Sequence, residues 1–272
     1  MDNPKILTLI FAMILLAPAF CFGQQDSTKK NELNIGVNYQ TRLHYFGRTD
    51  SLQSSGLVPN IKFQLKNGLY VQSNFIFIRN KTAPTAYAGT TIEGGYRFKA
   101  SKHFNGNIFY TQILYRDNSL LPQSALKAQT GVNATYATAV NINAGGDLKF
   151  SSGQTDIGAT LGLDHIFVIH KAASPFAFAV APSFYTYAGT QKFTKSYIEQ
   201  RTFLGFPVST QQTTQSYNQF HILAYEASVP LVAVVRKFYA TIIPSFVMPQ
   251  NLLEGETGKN MFYMTLGLGV KL

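Results

Sequence analysis

Residues 261–272 read Met-Phe-Tyr-Met-Thr-Leu-Gly-Leu-Gly-Val-Lys-Leu. Phe262, Met264, Leu266, Leu268, Val270 and Leu272 are apolar; Tyr263, Thr265, Gly267, Gly269 and Lys271 are small, polar or amphipathic. Successive side chains of an extended chain point to opposite faces, so a period of two predicts a β-strand with one wholly apolar face. Such a face meets either a packed core or lipid.

The same alternation recurs upstream. Leu33, Ile35, Val37, Tyr39, Thr41, Leu43 and Tyr45 alternate with polar or small residues and predict a first strand over 33–45. Ile61, Phe63 and Leu65 alternate with Lys62, Gln64 and Lys66, and Asn67-Gly68 follows. That dipeptide suits a two-residue hairpin, whose central residues take positive φ. Further strands are expected at 69–78, 92–99, 104–116, 157–167, 176–184, 223–233 and 238–248, with 129–150 split near 138–143. That makes about twelve strands. Short connections (67–68, 100–103, 235–237) contrast with long ones (48–56, 79–90, 188–217, 249–260).

Composition narrows the class. Charged residues make up 13% of the chain, against about 25% in soluble domains. No window after residue 23 is apolar enough for a membrane helix. The net charge is +10, yet Lys and Arg are spread singly; a nucleic-acid partner would call for dense basic clusters, so none is expected.

Residues 1–23 have the form of a secretory signal peptide. Lys5 provides the positive start, Ile6 to Phe20 the apolar stretch, and Cys21 and Gly23 the small residues before a cut ahead of Gln24. A lipoprotein acylated on Cys21 is the rival, disfavoured by the bulk of Phe20. Cys21 is the single cysteine, so residues 24–272 are expected to hold neither disulfide nor thiolate.

With Thr265, Gly267, Val270 and Leu272, the last segment resembles the terminal assembly signal of bacterial outer-membrane barrels, departing from it in ending on Leu rather than Phe. Residues 24–272 as a whole resemble a porin-like outer-membrane β-barrel of the Gram-negative envelope. The resemblance implies an all-β fold: a transmembrane antiparallel up-and-down barrel with short periplasmic turns and long outer loops. It also implies outer-membrane lipids and the barrel-assembly machinery as partners. The rival is a secreted β-sandwich or lipocalin-like barrel, with the same alternation turned inside out.

No HExxH, GxSxG, P-loop or metal-spaced His/Cys cluster occurs, so no catalytic residue, metal or cofactor is expected. His221 is a candidate for lipid chemistry, but no Ser is expected beside it and a nucleophile must lie within hydrogen-bond reach of its base. Scattered Asp50, Asp117, Glu199, Glu254 and Glu256 lack a neighbouring His. With apolar positions facing lipid, Arg42, His44, Lys62, Gln64, Lys66, Glu93, Arg97, Lys99, Lys149, Asp164 and Glu226 are expected to line the lumen, as pore or as plug. Counting Asp147 and Lys271, seven inward cations stand against four anions. A narrow channel for small, anionic solutes is the leading expectation. A closed barrel binding a partner through its loops is the alternative, drawn from Phe193, Tyr197, Phe203 and Phe206 in 188–217. A lipid-modifying enzyme is the weakest.

Overall fold

The computed structural model describes residues 30–49, 53–81, 84–116, 126–151, 153–170, 175–192, 219–252 and 258–272. The signal segment, the aromatic residues of the 188–217 connection, and Asp50, Asp117, Glu199, Glu254 and Glu256 lie outside these.

Twelve strands form a closed antiparallel barrel. They are β1 (Glu32–Gln40), β2 (Ser55–Gln64), β3 (Leu69–Arg79), β4 (Ala86–Lys99), β5 (Phe104–Tyr115), β6 (Leu126–Tyr136) and β7 (Asn141–Ser151). Then come β8 (Gln154–Asp164, continuing as Phe167–His170), β9 (Phe176–Val180, continuing as Ser183–Gly189) and β10 (His221–Ser228, continuing as Leu231–Val235). β11 (Phe238–Pro249) and β12 (Met261–Lys271) complete the wall. The terminal strands close it, with Asn34 opposite Lys271 and Gln40 opposite Thr265. Leu33 and Leu272 exchange both backbone hydrogen bonds at 3.0 and 2.8 Å. Thus the stretch with the clearest alternation is the seam partner, paired with β1 on one side and β11 on the other.

Register assigns the faces, because directly paired residues lie on the same side of a sheet. One row runs Leu33–Phe63–Val71–Gly94–Tyr110–Thr130–Leu148–Ile157. It is largely apolar and exposed, Ile157 at 52% and Val71 at 48%. The next row runs Lys271–Asn34–Lys62–Gln72–Glu93–Thr111–Gln129–Lys149–Asp156, all polar across nine strands. That row begins near the terminal end of β12 and ends near the far end of β8, so the strands are tilted, as closure requires. The polar face turns inward and the apolar face outward.

Most turns match the spacing signals: 65–68, 100–103, 137–140 and 236–237 are short and lie at the end holding the termini. The other end holds 41–54, 190–220 and 250–260. Several boundaries differ from expectation, among them the following. β1 stops at Gln40 rather than Tyr45. β4 reaches back to Ala86, shortening the expected 79–90 loop. β8 starts at Gln154, ahead of the expected 157.

A line of irregularity crosses β8 to β11. β8 breaks at 165–166, β9 at Ala181-Pro182, β10 at Val229-Pro230, and β11 carries Pro244. Proline has no N–H to give the ladder. Its carbonyl still accepts: His165 donates to Pro182, Ala181 to Pro230 and Val229 to Pro244, at 3.2, 2.9 and 3.1 Å. The strands bend there and remain paired on both sides.

Inward glycines are paired with inward tyrosines on neighbouring strands. The Tyr185 ring occupies the space a Cβ would need at Gly162, Tyr239 does so at Gly269, and Tyr70 at Gly95. Gly94, on the outer face, has nothing within 4 Å of that position. Overpacking costs about 1–3 kcal/mol. We expect Gly162→Val to lower the urea midpoint of the SDS-resistant, heat-modifiable gel band, and Gly94→Val to leave it in place. Equal midpoints for the two would show that the tyrosine rings do not brace the wall.

Candidate functional site

The candidate site is the barrel interior, and its turn-end half is built around Tyr70 on β3. Tyr70 is 7% exposed. Its hydroxyl donates to Glu93 on β4 at 2.8 Å, and Asn107 on β5 donates back to it at 3.3 Å. Thr111 donates to the second Glu93 oxygen at 3.0 Å. The Lys62 ammonium on β2 lies 4.3 Å from the Tyr70 ring centroid, and the Arg97 guanidinium on β4 lies 5.5 Å away. The negative face of an aromatic ring attracts cations, so one tyrosine steadies two basic groups.

The other expected residues are placed as follows. Gln64 pairs with Tyr70 in register, and Lys99 pairs with Asn105 at the turn end. Lys66 is exposed on the 65–68 turn. Lys149, 6% exposed, forms an ion pair with Asp147, which also accepts from Gln129 at 3.2 Å. Asp164 accepts from Asn141 at 2.7 Å, from Asn143, and from Tyr185 at 3.4 Å. Glu226 hydrogen-bonds Tyr263. Thus Lys62, Glu93 and Lys149 share one register row, whereas Asp164 and Glu226 sit on the wall built by β8 to β12.

Arg42 and His44 lie in the connection between β1 and β2. Here His44–Tyr45 pairs with Arg48–Thr49 as a small hairpin. Phe46 and Gly47 take positive φ, 51° and 78°, to make its tip. Before it, Leu43 packs with Ala88, Ile76, Ile78 and Tyr115 of β3 to β5. Phe46 packs on Tyr187 at 4.8 Å and on Ala224, Val247, Met261 and Tyr263 of β10 to β12. The segment therefore crosses the loop-end mouth from one wall to the other.

Arg48 anchors it. The side chain is 3% exposed and donates to the Leu223 carbonyl at 3.1 Å, Gln191 Oε1 at 2.8 Å and the Gln250 carbonyl at 3.1 Å. The fork of guanidinium donors suits several acceptors at once. This anchor was not recoverable from the sequence, where Arg48 reads as the first residue of a polar loop.

His221 hydrogen-bonds Gln219 at 2.9 Å, and no serine stands among its described partners. Among the described residues no cluster of His, Cys, Asp or Glu could hold a metal. The terminal residues sit in β12: Thr265 opposite Gln40, Gly267 against Thr241 and Asn38, Val270 opposite Ile35, and Leu272 on Leu33.

No family model and no curated protein matches the sequence. Solved structures resemble the fold. The KdgM porin aligns with a TM-score of 0.49 at 8% identity, covering 87% of this chain and 98% of that one. An outer membrane channel from Pseudomonas putida F1 aligns at 0.49 and 11% identity, covering 92% and 98%. LpxR from Salmonella typhimurium aligns at 0.44 and 10% identity, covering 87% and 99%.

His44 is the titratable ring of the mouth. Burial holds its pKa down at about 4, against an ordinary 6.5. Gly47 N–H donates to Nδ1 at 3.2 Å, the ring meets Tyr263 edge-on at 4.3 Å, and Nε2 has no hydrogen-bond partner among the described residues. The charged groups around this seat are Arg42 and Arg48 on its own segment, Lys149 with its partner Asp147 beneath Phe46, and Glu226, which hydrogen-bonds Tyr263. A group whose folded pKa is depressed contributes stability above its unfolded value, lost as pH falls through the folded one. We expect proteolytic cleavage within 41–49 to rise as pH falls from 6.5 toward 4, and His44→Gln to abolish that rise. A pH-independent cleavage rate in the unaltered protein would refute the seat described here.

Proposed function

We propose that this protein is an outer-membrane channel for small solutes with a preference for anions. The observation that carries this reading is the pair of faces on one closed barrel: an exposed apolar exterior suited to lipid, and an interior row of polar side chains suited to water. A soluble carrier barrel would reverse the two. The preference for anions rests on Lys62 and Arg97, which meet at Tyr70 beside Glu93, with Lys99 further along β4 toward the turn end and Glu32 as the second carboxylate near Lys62. Lumen charge biases which ion enters, because a narrow, low-dielectric passage focuses the field of its lining. Arg42, His44, Lys149, Gln64, Lys66, Asp164 and Glu226 belong to the same proposed lining, the first two as part of the constriction. No residue in it is assigned a catalytic role.

Purified barrels in a planar bilayer under a salt gradient test this. The zero-current potential is expected to lie on the anion side, and Lys62→Glu with Arg97→Glu to reverse its sign. An unchanged potential in that variant would place the filter elsewhere; no conductance at all would overturn the channel.

One observation favours a second reading, a closed barrel that acts through its loops: the hairpin at 44–49 spans the mouth and is anchored by Arg48. The two readings separate on Arg48→Ala. A channel constricted by this segment is expected to gain conductance when the anchor is lost, whereas a barrel plugged throughout is expected to stay silent.

A further inference from the structure

Two inner walls face each other at the turn end, and their chemistry differs. β3 and its neighbours carry Tyr70, Lys62, Arg97 and Lys99. β9 lies six strands away, half the circumference of a twelve-stranded barrel. There, Thr241 pairs with Val232, Val232 with Ala179, and Ala179 with Val168. One step along, Tyr239 pairs with Val234 and Val234 with Ala177. Tyr239 lies on the inner face, its ring over Gly269 and its hydroxyl by Gly36, so these partners face inward with it.

The interior of a transmembrane barrel is ordinarily polar. These five residues, Val168, Ala177, Ala179, Val232 and Val234, present no hydrogen-bonding side chain. Val168 is 63% exposed. The bend at 165–166, Pro182 and Pro230 is where the wall changes character: Ser183 and Ser228 share a hydrogen bond of 2.7 Å just above it, and just below begin two rows that are apolar on β9 and β10, with Thr241, Tyr239 and His170 at their ends. The β7–β8 ladder also ends at Asn141–Asp164. Among the described residues Phe167–His170 therefore has β9 as its only strand partner, and Phe167 and Ile169 are exposed on its outer side at 54% and 62%.

We propose that this vestibule binds amphipathic anions: organic acids with one anionic headgroup and an alkyl or aryl tail. The headgroup sits at Lys62 and Arg97 beside Tyr70, and the tail lies along Val168, Ala179 and Val232. Charge complementarity selects the sign of the ligand. The opposite wall selects its tail, since an apolar surface in contact with water gains by covering itself. A hydrophilic anion would leave that wall wet, and a neutral hydrocarbon would leave the cations unmatched. The proposal rests on the channel reading and adds a solute class to it.

The test is block of barrel current by decanoate, acetate and decyltrimethylammonium, with SDS-resistant gel mobility as the folding control. Full burial strengthens binding by about fourfold per methylene. Decanoate is expected to block at a concentration at least about tenfold below acetate, even if only a few methylenes are covered, and below decyltrimethylammonium as well, because that headgroup carries the same sign as Lys62 and Arg97. Lys62→Gln with Arg97→Gln is expected to remove most of that advantage. Val168→Thr with Val232→Thr is expected to flatten the dependence on chain length from hexanoate to decanoate. Equal block by decyltrimethylammonium, or equal potency of acetate, overturns the proposal. Should the barrel pass no current, the channel reading fails on its own, and binding is read as saturable retention of radiolabelled decanoate on barrels in nanodiscs. Retention lost in the Lys62→Gln, Arg97→Gln variant supports the site; identical retention in both proteins overturns it.

Discussion

The constraint on which the rest of the structure depends is that every backbone N–H and C=O in the wall must find a partner within the wall. Lipid offers none, and an unsatisfied group there costs several kcal/mol. Pairing β12 with both β11 and β1 removes the two edges that an open sheet would leave. Closure then dictates tilt, and tilt carries each register row from one end of the barrel toward the other. The row from Lys271 to Asp156 is the visible result: residues remote in sequence become neighbours on one inner spiral. Even Pro182, Pro230 and Pro244 obey the constraint, since their carbonyls keep accepting where their nitrogens cannot donate.

Most of this wall was legible in the sequence because period-two alternation is the direct imprint of having two faces. Asn67-Gly68 announced its turn, and the 129–150 stretch had to be divided because no strand is that long. Alternation failed where it persisted without a strand beneath it. Thr41, Leu43 and Tyr45 continue the pattern of β1, but β1 ends at Gln40. Leu43 is buried by packing across the mouth rather than by the wall. A strand pattern and a plug segment both demand apolar residues, and periodicity records only the demand. Likewise the phase said that Gly162 and Gly269 face inward, but not that Tyr185 and Tyr239 would fill the space above them.

The interior shows why counting inward charges is a weak guide. Seven cations against four anions suggested a diffuse positive lumen. The fold instead distributes them unequally. Lys149 is neutralised by Asp147 and shielded under Phe46. Lys271 pairs with Glu32 at 2.8 Å. Asp164 is taken up by two asparagines and a tyrosine on the far wall. What remains is local: Lys62 and Arg97 stand over one tyrosine, beside Glu93, whose oxygens already accept from Tyr70 and Thr111, and with Glu32 acting on Lys62 from β1. A sequence contains the charges but not the partners that cancel them, and the partners decide the field.

The two ends of the barrel are therefore built for different tasks. At the loop end, apolar burial around Leu43 and Phe46 and the Arg48 anchor fix a segment across the opening. Salt screens charges and leaves packing largely intact, so the apolar contacts of Leu43 and Phe46 persist at ionic strengths that weaken the field of the basic wall below. His44 is the exception inside that packing: a titratable ring placed where its neutral form fits and its charged form does not. The basic wall and the segment across the mouth sit at opposite ends of the barrel and on different elements, the first on β2 to β4 and the second in the connection between β1 and β2.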